Sequence, residues 1–130
     1  MDFSVVQINL ILAWLWIVLG FVSGFLLGLG FHGESWLGGY TSFKRRLYRL
    51  AHISFFGLAI MNLMFYFTVQ GFNAPSRLID IASWGFVVGA ISMPICCIIM
   101  AHYSKLRTIF AIPVISLILA GFLTLWEVAS

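Results

Sequence analysis

Apolar residues run along this chain in four long stretches. From Leu10 to Phe31 the only non-apolar side chain besides glycine is Ser23. From Ala51 to Val69 the interruptions are His52, Ser54, Asn62 and Thr68; from Ile79 to Ala101 they are Asp80, Ser83 and Ser92; from Ile109 to Trp126 they are Ser116 and Thr124. A helix that crosses a hydrocarbon core needs roughly 20 mostly apolar residues, and each stretch is close to that length. Barrel strands alternate apolar and polar positions over about ten residues, and these stretches do not alternate. The pattern predicts an all-α integral membrane protein with four transmembrane helices, at about 8–31, 50–69, 79–101 and 108–126, in a single antiparallel up-down bundle.

Polar residues collect between the stretches. The first connection, from His32 to about Arg49, holds Glu34, Lys44, Arg45, Arg46 and Arg49. The second holds Arg77, and the third holds Lys105 and Arg107. In an alternating four-span chain the first and third connections share a side, which then carries six Lys/Arg against one. Short connections rich in Lys and Arg stay in the cytoplasm, so both termini are expected outside it. The short connections also suggest a bacterial inner membrane.

Composition agrees. Charged residues make up 8% of 130 and hydrophobic ones 62%, with mean hydropathy +1.08. A soluble domain is roughly a quarter charged, which excludes that class here, along with a disordered tail and a disulfide-stapled secreted domain. The net charge of +3 reads as an orientation signal, and no nucleic-acid partner is expected. The opening segment MDFSVVQ carries an acid and no base, so no cleavable leader is expected.

Small residues predict how the helices pack. Gly20, Gly24 and Gly28 form a ridge at four-residue spacing, and Gly85, Gly89 and Ser92 form a second stripe. Bare backbone on one face lets another helix approach closely, so these stripes are expected to make helix contacts, with each other or with another subunit. Pro94 and Pro113 lie inside spans and are expected to kink them. Residues 42–50 read as a basic interfacial helix, with Lys44, Arg45, Arg46 and Arg49 at lipid headgroups.

Candidate chemistry is sparse. Asn62 lies inside a span, where an unpaired amide is costly, so it needs a partner on another helix, a carbonyl or a ligand. His32, His52 and His102 all fall at the same membrane boundary. Imidazoles converging from different helices are what an axial haem pair requires. This four-span outline is similar in architecture to small membrane b-type cytochromes. That likeness implies one haem b held by His52 and His102, with His32 as the alternative ligand. No acid lies mid-span, which argues against a proton pump, and no nucleophile, metalloprotease or phosphate-loop motif is present. The leading expectation is a non-catalytic or accessory membrane subunit. It would work through helix-helix contacts, with a membrane protein partner or as a homo-oligomer. The alternatives are single-haem electron transfer and a small transporter or pore.

Overall fold

The computed structural model describes residues 3–130, with side chains from Val6 onward; Met1 and Asp2, which open the segment MDFSVVQ, lie outside the described residues. Four helices carry the fold: α1 (Phe3–Gly30), α2 (Phe43–Gln70), α3 (Arg77–His102) and α4 (Ala111–Ala129). Each falls in a segment long and apolar enough to cross a membrane, and no strand occurs among the described residues. A 3₁₀ turn at Trp36–Gly38 lies between α1 and α2, and a 3₁₀ segment at Ser104–Phe110 leads into α4.

Serine caps start two of the helices. The Ser42 hydroxyl accepts from the Arg45 amide at 3.1 Å, and the Ser76 hydroxyl accepts from the Leu78 amide at 3.2 Å. Each fills one of the orphan donors of a first helical turn. Ser76 is itself held from a distance: the Glu127 carboxylate, near the end of α4, accepts from its amide at 2.8 Å and from its hydroxyl at 2.7 Å. The last turn of α4 is thereby tied to the first turn of α3.

The interior of α1, α2 and α3 is layered. One apolar layer joins Val6, Phe65, Val69, Ile79, Ala82 and Phe86, with Ala120 added by α4. A second joins Leu12, Trp16, Leu58, Ala59, Val87 and Ala90. Between them sits a polar knot that is completely buried: Asn9 and Asn62 are 0% exposed and Ser83 is 1% exposed. Asn9 Nδ2 donates to Asn62 Oδ1 at 2.8 Å and to the Ser83 carbonyl at 3.4 Å, and the Ser83 hydroxyl donates to Asn9 Oδ1. Asn62 Nδ2 returns to its own helix, donating to the Leu58 carbonyl at 2.8 Å. Each of the three helices contributes one side chain, so their mutual register is fixed by directional bonds as well as by packing.

Pro94 explains a second cross-helix bond. Proline has no N–H, so the carbonyl four residues earlier, Ala90, loses its helical donor. The Trp16 indole N–H of α1 donates to that carbonyl at 2.9 Å. A lone carbonyl in an apolar interior costs several kcal/mol, and this contact removes that cost. α3 continues through Pro94 as one helix. Pro113, expected to kink a span, is the third residue of α4. The amides of a first turn have no intrahelical acceptor, so the missing N–H has no consequence there.

The glycine stripes do not meet each other. A Cβ on Gly20 would lie 2.7 Å from the Phe56 ring, and one on Gly24 would lie 2.8 Å from His52 Cε1, so both receive α2. A Cβ on Gly85 would lie 2.8 Å from Ala120 Cβ, and one on Gly89 would lie 2.4 Å from Leu117, so both receive α4. Ser116 adds a hydroxyl bond to the Gly85 carbonyl at 2.8 Å. Gly28 faces open space, and the Ser92 hydroxyl bonds the Val88 carbonyl of its own helix. α3 is the central helix, with 44% of its most apolar stretch buried; the last helical segment, at 11%, is peripheral.

Candidate functional site

The connection between α1 and α2 closes over Arg45. Leu37, Gly38 and Gly39 all have positive φ, at 52°, 85° and 99°, which turns the chain sharply. A left-handed leucine costs roughly 1–2 kcal/mol; the Ser42 hydroxyl holds it by donating to the Leu37 carbonyl at 2.6 Å. Gly30 also serves this turn, because the Trp36 ring packs where its Cβ would be, at 2.4 Å.

Arg45, expected at a lipid headgroup, is 0% exposed. Its guanidinium lies 4.0 Å from the Tyr40 ring centre, 4.5 Å from that of Phe31 and 5.4 Å from that of Trp36. It donates to the Phe31 carbonyl at 3.4 Å and the Gly33 carbonyl at 3.5 Å, while Tyr40 also donates to the Phe31 carbonyl at 2.8 Å. The reason is chemical. Guanidinium is planar and weakly hydrated, so it stacks on ring faces where an ammonium would keep its water. Arg45 therefore pins the connection, while Arg46 and Arg49 are exposed and Lys44 is half-buried.

Beneath this connection lies a cavity of about 340 Å³ between α1, α2 and α3. Its walls are mostly apolar, including Leu26, Leu27, Leu37 and Ile98, with the rings of Trp36 and Phe55. Three polar side chains reach it: Ser23, Tyr48 and His52. The Ser23 hydroxyl lies 3.0 Å from the Gly20 carbonyl and 2.9 Å from His52 Nδ1. A hydroxyl has one proton. With that proton on the carbonyl, Ser23 accepts from Nδ1–H; with it on the ring, Nδ1 accepts. Gly24 makes room for this ring, and Phe56 packs edge-on to it at 5.5 Å between centres.

His102 sits elsewhere. Its Nε2 is 2.7 Å from the Tyr48 hydroxyl, and the residue lines a separate cleft with Tyr103, Ser104, Lys105 and Leu106. His32 is exposed on the connection after α1. An axial haem pair needs two imidazoles facing one space. His52 and His102 line different cavities, and His102 Nε2 is engaged by Tyr48, so the three histidines do not fit a bis-imidazole haem. No group of three or more His, Cys, Asp or Glu suited to a metal ion occurs among the described residues. Cys96 and Cys97 are free and buried. Asn62, the amide expected to need a partner, belongs to the knot and lies outside the cavity.

Comparison of the chain with protein-family models, with curated proteins and with solved structures finds no match.

The caged guanidinium leads to a stability prediction. Arg45→Ala, followed by unfolding of the purified protein in mild detergent, is expected to lose about 2–4 kcal/mol. Arg46→Ala should stay within about 0.5 kcal/mol of wild type, and Arg45→Lys should recover less than half of the loss. Equal effects at positions 45 and 46 would contradict the cage.

Proposed function

We propose that this chain is a small accessory subunit of a membrane assembly, acting through helix-helix contacts rather than through chemistry of its own. One observation carries the reading: α4 rests chiefly on α3 and leaves its other faces uncovered. Ile115, Ile118, Phe122 and Leu125, spaced three, four and three residues apart, are all more than 60% exposed. That spacing forms a continuous apolar seam, a face that in a bilayer meets either lipid tails or a second helix. The occupant we assign to it is a transmembrane helix of another membrane protein. A transporter reading needs a polar path. The groups that would line one, Asn9, Asn62 and Ser83, are bonded to each other.

The proposal includes an up-down arrangement with both termini outside the cytoplasm, in a bacterial inner membrane. Neighbouring contacts support the alternation: residue 9 meets 62, residue 62 shares a knot with 83, and residue 76 meets 127. Lys44, Arg46, Arg49, Lys105 and Arg107 remain on the basic side without Arg45. That keeps the bias that holds short connections in the cytoplasm.

Two experiments test these statements. A photo-crosslinking amino acid at position 118 or 122, irradiated in native membranes, should trap one discrete protein, while the same group at the outward Ile60 of α2 should not. Lipid adducts alone at all three positions, together with a strictly monomeric particle in mild detergent, would refute the partner. A reporter fused after Ser130 should be active only if it functions outside the cytoplasm; activity of a cytoplasm-only reporter would reverse the orientation.

A further inference from the structure

The cavity beside His52 has features that helix packing does not require. His52 Nε2 has no hydrogen-bond partner among the described residues. The only sealed, unpartnered side-chain nitrogen or oxygen among them is Arg45 Nε, so His52 Nε2 keeps open surface. Here one nitrogen is bonded by Ser23, and the other is left free at the wall of an apolar cavity.

We propose that this cavity binds the hydroxyl-bearing ring of a lipid-soluble quinol, with the ring hydroxyl donating to His52 Nε2. Four observations select that ligand. With the Ser23 proton on the Gly20 carbonyl, Nδ1 carries the imidazole hydrogen and Nε2 offers a lone pair, which selects a ligand that brings a proton. The rings of Trp36 and Phe55 line the walls and suit a flat aromatic ring. The volume of about 340 Å³ lies at the small end of the ~300–1,000 Å³ range of ligand cavities, enough for one substituted ring and the start of its tail. Leu26 and Ile98 stand on the rim, 59% and 40% exposed, which gives the site an apolar approach for a ligand dissolved in the bilayer. The oxidised quinone offers only carbonyl acceptors, which would face the Nε2 lone pair unbonded. An unmade hydrogen bond in such a site is costly, so the reduced form is preferred. His52 is the binding group, and Ser23 is a positioning residue that acts through it.

The test uses the full chain in phosphatidylcholine nanodiscs with ¹⁵N-labelled histidine, kept anaerobic. Decylubiquinol is expected to move the His52 Nε2 resonance, half-saturating at a concentration about tenfold or more below that of decylubiquinone. Positioning of this tautomer by Ser23 predicts that Ser23→Ala reduces the preference to about threefold or less while quinol still binds. His52→Phe keeps a ring over Gly24 and removes the nitrogen. Quinol retained by these discs, above protein-free discs, is expected to fall about tenfold or more with the helical circular dichroism and melting curve unchanged. Equal response to quinol and quinone would overturn the assignment. So would a shift confined to His102 or His32, no shift in folded protein, or displacement of the quinol by decanol at matched concentration. If His52→Phe fails to fold, the Ser23→Ala preference and the decanol competition decide the matter.

Discussion

An apolar interior gives a polar group nothing to bond, and much of this fold follows from that constraint. Asn9, Asn62 and Ser83 have little meaning singly; together they convert three expensive side chains into three helix-to-helix ties. The Ala90 carbonyl, stripped of its donor by Pro94, recruits Trp16 in the same way. These contacts sit along the α1–α2–α3 interior between apolar layers, so directional bonds set the register and dispersion fills the space. α4 shares fewer of these ties. It is held by the Gly85 and Gly89 grooves, the Ser116 hydroxyl and the Glu127 clasp on Ser76, which leaves its outer faces available.

The end of the molecule beneath the first connection is built on a different principle. There a charge, rather than an amide, is enclosed, and aromatic faces with backbone carbonyls take the place of a counter-ion. Arg45 draws Phe31, Trp36 and Tyr40 together, and Trp36 then forms one wall of the cavity that His52 lines. Stability of the connection and shape of the cavity are thus linked through one ring. The glycine at position 24 completes the arrangement, because only a residue without Cβ lets the imidazole lie against α1 beside Ser23.

The helices were legible in the sequence because each lies in a stretch long and apolar enough to cross a membrane, a length and purity that few other structures share. The need of Asn62 for a partner was legible too, from its burial in an apolar span. Its partner was not: Asn9 precedes the uninterrupted stretch and reads as an end residue until α1 is seen to begin at Phe3. Arg45 was misassigned because a charge count treats Lys44, Arg45, Arg46 and Arg49 alike, and only the fold shows which one points inward. The histidines looked alike for the same reason. Position along the chain placed all three at one boundary, but the facing of each ring depends on helix rotation, which separates His52 from His102. Pro94 did carry a readable signal. A proline within a span names the carbonyl four residues back as an orphan, and that carbonyl is the one Trp16 serves.

The claim that most of this rests on is that the buried amides are coupled, and do not merely fill space. A double-mutant cycle on Asn9→Leu and Asn62→Leu, read as unfolding free energy in mild detergent, measures that coupling directly. Bonds between helices in membrane proteins average about 0.6 kcal/mol and reach about 1.7 kcal/mol. The knot predicts a coupling of about 1 kcal/mol or more, with the double variant less destabilised than the sum of the singles. Strictly additive losses, or single variants as stable as wild type, would contradict it.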